Sequence, residues 1–393
     1  MTGGATGGMT GGATGADRVA RAGLSRIAEP GDVEVHAAVH TAGAVEVWEA
    51  LSRGVPVGQV PQGVLPGIAL RAEGHDPGDD LAAAAACGAR LVCPGDPEWP
   101  TERLTWQARG VLDAPPLALW VRGPWPLAES LERSVAVVGA RAATSYGAHV
   151  AAALAADLSQ RQATVVSGGA YGIDAAAHRG ALAGGGAPTV AVLACGVDVA
   201  YPRGNDRLLQ EVAHTGLIVS ELPPGSHPTR RRFLVRNRLI AALSLGTVVV
   251  EAASRSGSLA TLERAKLLHR HLMAVPGPVT SAMSSGCHDW IRDGAVCVTD
   301  GAQVMDLVGR LGTDAVDRVR GPVDVRDGLS DTVRRVLDAL PVRRACGVSV
   351  LARSAGVAPL VVQQVLPPLV AHGLVERTPD GWRLTALGAG RSA

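Results

Sequence analysis

Residues 163–182 read ATVVSGGAYGIDAAAHRGAL and decide the fold of the central part of this chain. A short β-branched run ends at Val166, small residues follow, and a helical pattern begins near Asp174. Small residues between a strand and a helix allow a ligand or a neighbouring element to approach the backbone closely. The stretch therefore predicts one strand–turn–helix unit, and the question is what approaches its turn.

The same order of strand, small-residue turn and helix occurs several times. It precedes this stretch in SVAVVGARAATSYGAHVAAALAADLSQRQ and follows it in PTVAVLACGVDVAYPRGNDRLLQEVAHTG and TVVVEAASRSGSLATLERAKLLHR. Unbroken apolar strands that alternate with helices indicate a parallel sheet buried on both faces. We expect an α/β, extended Rossmann-like domain over residues 124–308, with its ligand site at the carboxyl ends of the strands.

The flanking regions have different patterns. The repeat at 1–16 predicts a disordered low-complexity tail, and 17–123 predicts a small helical N-terminal domain. A polar stretch at 309–330 is typical of a linker. Residues 331–393 read as three helices followed by a hairpin, which predicts a winged-helix domain.

Composition alone points to no particular ligand. The formal net charge of the 393 residues is +1, so a nucleic-acid site would have to come from local clustering of arginine. The six cysteines form no CxxC pair, and no apolar run reaches transmembrane length. We expect a cytoplasmic protein with reduced thiols, no membrane association, no metal and no cofactor.

The first small-residue turn is VVGARAATSYG. Gly139 ends a strand, Arg141 follows, and Ser145 is the expected cap of the next helix. A helix N-terminus beside an arginine attracts an anion, whereas the alternative is a tight turn with a solvated arginine. The spacing is not GxGxxG, so a dinucleotide fingerprint is not supported.

The second turn is the opening stretch itself. The backbone N–H groups of Ser167, Gly168 and Gly169 could surround a phosphate. Asp174 and His178 lie four residues apart on one helix face and can bond each other. No nucleophile accompanies this pair at a suitable spacing, so we expect a structural or binding role and predict no catalytic residue.

The segment RRRFLVRNRLIAAL is the densest basic run in the chain. Arg236, Asn237 and Arg238 lie close to Phe233, the only phenylalanine. Arginines for the backbone and an aromatic face for a base are typical of a single-strand groove. The alternative, left open by the sequence, is a solvated helix with Phe233 in the core. A third small-residue turn, Ser256, Gly257 and Ser258, precedes a helix that is expected to begin near Leu259.

Taken together, these motifs resemble the DNA-processing protein family DprA, also called Smf. The resemblance rests on VAVVGARAATSYG, VVSGGAYGIDAAAHRGAL, GVDVAYPRGN, IVSELPPGSHP, FLVRNRLIAALS, VVVEAASRSGSLATLERA, MAVPGPV and SSGCHDWIRDGA, in this order. It implies an extended Rossmann fold that binds single-stranded DNA, loads the recombinase RecA in natural transformation or recombination, and forms a homodimer through the Rossmann domain. It implies no chemical reaction.

Carried over by position, the resemblance implies DNA contacts at Arg141, the 167–169 turn, Phe233 and residues 236–238. Tyr171 stands where family members often have a basic residue, and it could stack on a base instead.

Two other functions remain open at this stage. SGSLATLE is also similar to the phosphate turn of nucleotide phosphoribohydrolases, in which case Glu251, Glu263 and Arg238 would act on an N-glycosidic bond. A winged helix that reads duplex DNA is the second. The third helix of that domain, APLVVQQVLPPLVAHG, has almost no cations, which favours a protein-contact role instead.

Overall fold

The computed structural model describes residues 13–108, 113–309 and 328–389. By their internal contacts, the residues divide into two compact units, one within 1–316 and one within 317–393. Each unit is described by itself below.

The first unit is built on a nine-stranded sheet with the order β1-β2-β6-β5-β4-β3-β7-β8-β9. Its parallel strands are β3 Ser134–Val138, β4 Thr164–Ser167, β5 Thr189–Val192, β6 Leu217–Ser220, β7 Gly246–Val249, β8 His271–Ala274 and β9 Val296–Cys297. Two strands, β1 Ala89–Val92 and β2 Leu119–Arg122, extend one edge in antiparallel pairing.

Helices connect these strands and cover both faces of the sheet. They are α6 Leu127–Ser130, α7 Ser145–Gln160, α8 Ile173–Gly184, α9 Asp206–Thr215, α10 Arg230–Ala242, α11 Leu259–Leu267, α12 Ser285–Arg292 and α13 Gly301–Val308. The predicted alternation of strands and helices is confirmed. In β3, Val135 and Val137 pack into one core and Ala136 and Val138 into the other, as expected for a strand buried on both faces.

The N-terminal helices are α1 Gly15–Ile27, α2 Val33–Ala42, α3 Ala44–Ser52, α4 Leu65–Ala72 and α5 Pro77–Ala86. Their mutual core contains Leu24, Ile27 and Val35, while Ala22 packs in the core that also holds Trp120 and Leu193 beside the sheet.

The structure differs here from the predicted division at residue 123. Strands β1 and β2 lie within the segment expected to be a separate helical domain, yet they are strands of the main sheet. Each is four residues long, and the antiparallel pairing that recruits them is a long-range contact that local patterning does not encode.

Two glycines explain the close packing around the opening stretch. Gly172 has φ +76°, and a Cβ there would collide with the Ala140 carbonyl oxygen; Ile173 N donates to that same oxygen at 3.1 Å. Gly180 lies against α7, where a Cβ would collide with the carbonyl oxygen of Ala152. Part of the answer to the opening question is therefore that protein backbone approaches these small residues.

The second unit contains α14 Asp331–Asp338, α15 Val348–Ala355 and α16 Pro359–Ala371, followed by the antiparallel hairpin of β10 Val375–Thr378 and β11 Gly381–Leu384. Three helices and a hairpin are what the sequence predicted, and Val336, Leu351 and Leu366 lie in their common core. Its assignment as a winged helix stays a prediction. The tail predicted at 1–16 and the linker predicted at 309–330 fall mostly outside the described residues.

Among the helices of the described ranges, no single one is long and apolar enough to cross a membrane. Val348–Ala355 and Pro359–Ala371 meet that test only as a pair, bent by 103°.

Candidate nucleic-acid interface

An open cleft of about 750 Å³ lies at the carboxyl ends of β3 and β7. The chain order of the strands reverses between these two neighbours, since β4, β5 and β6 follow on one side of β3 and β7, β8 and β9 on the other. Ligands of open α/β sheets bind at such a switch point. The carboxyl ends of the strands, where the sequence analysis expects the ligand site, therefore hold an open cleft in the structure.

This cleft is lined by eight of the residues that the sequence analysis named as candidate DNA contacts. They are Gly139, Arg141, Phe233, Arg236, Asn237, Ser256, Gly257 and Ser258. They come from three chain segments: the turn after β3, the first turns of α10 and the turn after β7.

Phe233 is the centre of a group of cationic and aromatic side chains. The guanidinium carbon of Arg141 lies 5.0 Å from the Phe233 ring centroid, and that of Arg236 lies 5.9 Å from it. The Tyr201 ring is 5.5 Å from the Phe233 ring at 47°. These distances fall within the range of cation–π and tilted aromatic contacts. Phe233 is half-buried and lines the cleft, so the sequence alternative that placed it in the core does not hold.

Helix α10 directs its N-terminus to this cleft. Thr229 caps the helix by accepting from Arg232 N at 3.3 Å, and Arg230, Phe233 and Asn237 follow one face at helical spacing. The first turn contains three arginines and no acidic residue, although the helix dipole favours anions at this end. Glu29 pairs with Arg232 at 2.9 Å, and this hydrogen bond lowers the pKa of Glu29.

The charge of the cleft lining is strongly positive. Its arginines are Arg141, Arg230, Arg236 and Arg255, and its only carboxylate is the buried Asp174. No group of three or more His, Cys, Asp and Glu side chains that could hold a metal ion occurs among the described residues.

Arg236 forms the floor of the cleft. It is 6% exposed, and its Nη1 donates to Gly168 O at 2.7 Å and also to Val192 O. Burial lowers the pKa of Arg236 to about 10, against the opposing effect of Asp174. The group therefore remains charged at neutral pH, and its Nη2 has no hydrogen-bond partner within the ranges that the structure describes.

The turn at 167–170 is closed by its own side-chain partners. Asp174 Oδ2 accepts from Gly168 N at 3.1 Å and from Ala170 N at 3.4 Å, and Asn205 Nδ2 donates to the carbonyls of Gly169 and Ala170. Ser167 Oγ donates to Val137 O at 2.7 Å.

The expectation that Ser167, Gly168 and Gly169 surround a phosphate is thereby corrected. All three are buried, and the Gly168 N–H already donates to a carboxylate. Burial raises the pKa of Asp174, while Arg236 and the backbone N–H groups act in the opposite direction.

Asp174 and His178 do not bond each other, although their spacing allowed it. Thr189 Oγ1 donates to Val165 O and therefore accepts from His178 Nδ1, at 2.8 Å. Burial lowers the pKa of His178 to about 3, which makes the ring neutral. Its Nε2 is buried and has no partner among the described residues.

The DNA contact expected at Arg238 is also corrected by the structure. Its side chain is fully buried, donates to both oxygens of Glu221 at 2.6 and 2.8 Å and to Ala114 O at 2.9 Å, and does not line the cleft. Residues two apart on a helix point about 200° away from each other, so Arg236 and Arg238 cannot serve the same face.

The phosphoribohydrolase alternative loses two of its residues in the same way. Arg238 is engaged by Glu221, and the Glu251 carboxylate accepts from Thr144 N at 2.9 Å and Thr144 Oγ1 at 2.6 Å. Glu263 is exposed on α11. Thr144, rather than the expected Ser145, also caps α7, by accepting from Gly147 N.

Among the other residues that line the cleft, Arg230 belongs to the basic run noted in the sequence, whereas Tyr201 and Arg255 were not predicted. Tyr201 lies in AYPRGN, Arg255 lies among the small residues of ASRSGS, and Arg230 begins α10. An arginine inside a small-residue turn was the available signal for Arg255. Tyr201 carried no local signal, since its ring meets Phe233 only through the tertiary fold. Tyr171 does not line the cleft; it is 49% exposed, and its Oη accepts from Gly204 N at 3.2 Å.

The fold and the site thus define a class of protein: a doubly wound α/β protein with a cationic, aromatic cleft at its switch point. The family model for "DNA recombination-mediator protein A" matches residues 90–309, and the chain belongs to this family.

Curated relatives and a solved structure agree with this assignment. A DNA processing protein DprA of Mycobacterium tuberculosis is 44% identical over 94% of this chain and 95% of its own length. The DprA of Streptococcus pneumoniae is 42% identical over 51% of this chain and 69% of its own length. The X-ray structure of the S. pneumoniae protein covers 76% of this chain and 99% of its own, at 28% identity and a TM-score of 0.60.

Proposed function

We propose that the cleft binds single-stranded DNA. The observation that carries this proposal is the group formed by Arg141, Phe233 and Tyr201, in which an exposed guanidinium and two aromatic rings meet in an open cleft. Aromatic rings bind bases of any sequence by stacking, and arginines bind the phosphates between them.

The single-stranded form fits this geometry better than the duplex. A base can reach the face of Phe233 only when it is unstacked from its neighbours. The cleft presents the ring of Phe233 and the N-terminal part of α10 along a concave surface, not a helix that protrudes into a major groove.

Each part of the cleft has an expected role. Arg141, Arg230 and Arg255 bind phosphates at the rim, and Phe233 and Tyr201 stack on bases. Arg236 supplies a fixed positive charge at the floor. The polar groups available beside them, which we expect to contact sugar or phosphate, belong to Asn237, Ser256 and Ser258, with Gly139 and Gly257 permitting close backbone approach.

We further propose that the bound strand is delivered to the recombinase RecA. The description of the family as a recombination mediator and the names of the relatives as DNA processing proteins support this role. We expect the protein to act by binding, without a chemical step, and to form a homodimer through the first unit. We expect the second unit to contact protein.

Binding to single- and double-stranded oligonucleotides of equal length, measured over a salt series, tests the proposal. Affinity for the single strand should exceed that for the duplex and should fall with log salt at a slope of about −0.7 per phosphate contacted. A flat salt dependence or preference for the duplex would contradict it.

The homodimer has its own measurement. Light scattering of the full chain should give twice the monomer mass, and long oligonucleotides should bind disproportionately better than short ones because two clefts act on one strand. RecA filament assembly on strands coated with a single-strand-binding protein, with and without this protein, tests delivery. Unchanged assembly would remove that part of the proposal while leaving DNA binding intact.

A further inference from the structure

A second basic cavity lies at the amino ends of the strands, whereas the cleft lies at their carboxyl ends. Its volume is about 340 Å³, and Arg103, Trp106, His269 and Arg270 contribute to its lining. Neither the sequence patterns nor the cleft described above involves these residues.

The hydrogen bonds of the two arginines fix its position. Arg103 Nη2 donates to the carbonyls of Leu131 and Glu132, just before β3, at 3.2 and 3.3 Å. Arg270 immediately precedes β8 and donates from Nη2 to Ala242 O, at the end of α10, at 3.4 Å. The cavity is thus at the amino ends of β3, β7 and β8. The strands are four or five residues long, which separates it from the cleft by about 15 Å of sheet.

Two arginines, Arg103 and Arg270, face this cavity. Burial lowers the pKa of Arg103 and of Arg270, and the charge of Arg270 lowers that of Arg103 further, against the opposing effect of the Glu102 charge. Glu102 borders the cavity and is exposed, and in the part of the chain that the structure describes neither arginine forms an ion pair with it or with any other carboxylate.

The donors of these arginines are also incompletely used. Within the described ranges both guanidiniums donate only to backbone carbonyls, and Arg270 Nε is buried with no partner there. Half-buried like charges repel each other, and an arginine fork matches the oxygens of a phosphate. Trp106 donates its indole N–H to Asp113 O at 2.9 Å, and the Arg238 guanidinium carbon lies 6.0 Å from its ring centroid. The ring forms an apolar border of the cavity.

We infer that this cavity binds a phosphate group, held between Arg103 and Arg270, with Trp106 beside the sugar or base attached to it. The phosphate can come from a free nucleotide or phosphate ion, or from the backbone of a DNA strand that continues around the protein. Both sources present the same oxygens to the two arginines.

The thermal stability of the full chain, measured against inorganic phosphate at constant ionic strength set with chloride, tests the site. A ligand that binds only the folded state raises Tm as its concentration passes Kd. The parent should respond to phosphate, and Arg103→Gln and Arg270→Gln should each weaken the apparent Kd by about tenfold or more, because each removes charge-assisted hydrogen bonds. Arg179→Gln, which removes an exposed arginine on α8, is the matched control and should respond like the parent.

A parent that shows no phosphate response beyond that of chloride would overturn the inference, as would variants that respond like the parent. If Arg270→Gln is too unstable to measure, Arg270→Lys retains the charge without the fork and should weaken binding less.

Oligonucleotide binding by Arg270→Gln distinguishes the two sources. A weaker single-strand affinity with a salt slope reduced by about 0.7 identifies a strand phosphate. An unchanged oligonucleotide affinity together with a lost phosphate response identifies a free nucleotide or phosphate. Both results support the site. This comparison rests on the proposed single-strand binding of the parent, whereas the phosphate response of Tm is measured without DNA and can succeed or fail by itself.

Discussion

The turns after β3 and β4 look alike in sequence and are used in opposite ways. Both place small residues between an apolar strand and a helix. The turn after β3 leaves Arg141 exposed over Phe233, whereas the turn after β4 is buried, with N–H groups bonded by Asp174 and carbonyls bonded by Asn205 and Arg236. Backbone N–H groups of both turns are already bonded by a carboxylate, that of Thr144 by Glu251 and that of Gly168 by Asp174. The difference teaches that an exposed side chain, Arg141, distinguishes the turn open to a ligand from the closed one.

Removing Asp174 should have the largest effect of the substitutions proposed here. Asp174→Ala leaves the Gly168 N–H unpaired and removes the negative charge near buried Arg236, so we expect a loss of about 3 kcal/mol in the free energy of unfolding. Urea denaturation measures it. Asp174→Asn keeps an acceptor oxygen and should lose less. A fully stable Asp174→Ala would mean that the buried turn is not held as described.

Removing Arg141 should affect DNA binding and not folding. Arg141→Ala should weaken single-strand affinity by about 1.5–3 kcal/mol, the range for a charge-assisted contact, with stability changed by less than about 0.5 kcal/mol because the side chain is exposed. Arg179→Ala, on an exposed face of α8, is the control. Equal affinity of Arg141→Ala and the parent would remove Arg141 from the proposed interface.

The buried turn should also show a pH dependence through its neighbour His178. The folded-state pKa of about 3 lies below the ordinary value near 6.5, so the unfolded chain binds the extra proton first. The stability from neutral His178 is complete above pH 6.5 and is lost as the pH falls, by about 2 kcal/mol at pH 5.

The comparison between the parent and His178→Gln isolates this contribution, because Asp174, whose pKa is raised, is present in both. The parent should lose more unfolding free energy between pH 7 and pH 5 than the variant does. Parallel pH profiles would show that His178 is not held neutral.

Substitution of the aromatic residues should change single-strand affinity by the smallest amount. Tyr201→Ala should cost about 1 kcal/mol in single-strand affinity, at the lower end of the range for one stacked base, because its ring contacts Phe233 in the cleft. Tyr171→Ala tests the stacking expected from the sequence, and its effect should be smaller since Tyr171 lies outside the cleft lining. A larger loss of affinity for Tyr171→Ala than for Tyr201→Ala would indicate that the bound strand passes beside the turn after β4.

The sequence predicted the sheet well because its strands are unbroken apolar runs and its turns contain glycine. It also indicated the end of the sheet at which the cleft lies, since the carboxyl-end rule follows from the repeated units, but the strand order that places it between β3 and β7 came from the structure. The edge strands β1 and β2 could not be placed, because their partners are distant in sequence.

The basic segment shows a different limit. Its composition predicted DNA contacts at Arg236 and Arg238 alike. The helical period places the two side chains on opposite faces, so that Arg236 lies at the cleft floor and Arg238 bonds Glu221. That signal was present in the sequence. The closure of the 167–170 turn by Asn205 was not, because this residue comes from the next unit of the sheet.

Glu251, behind the cleft lining, joins two of the three segments that form the cleft. Glu251 O accepts from Ala140 N at 2.7 Å, and its carboxylate accepts from the backbone and hydroxyl of Thr144, so the segment after β7 is tied to the segment after β3 by three hydrogen bonds. A wider or narrower opening would break them inside a buried site. These hydrogen bonds set the distance between two of the three segments that line the cleft. The proposed strand would then have to bend to fit that distance, and we expect flexible strands to bind better than stiff ones of the same sequence.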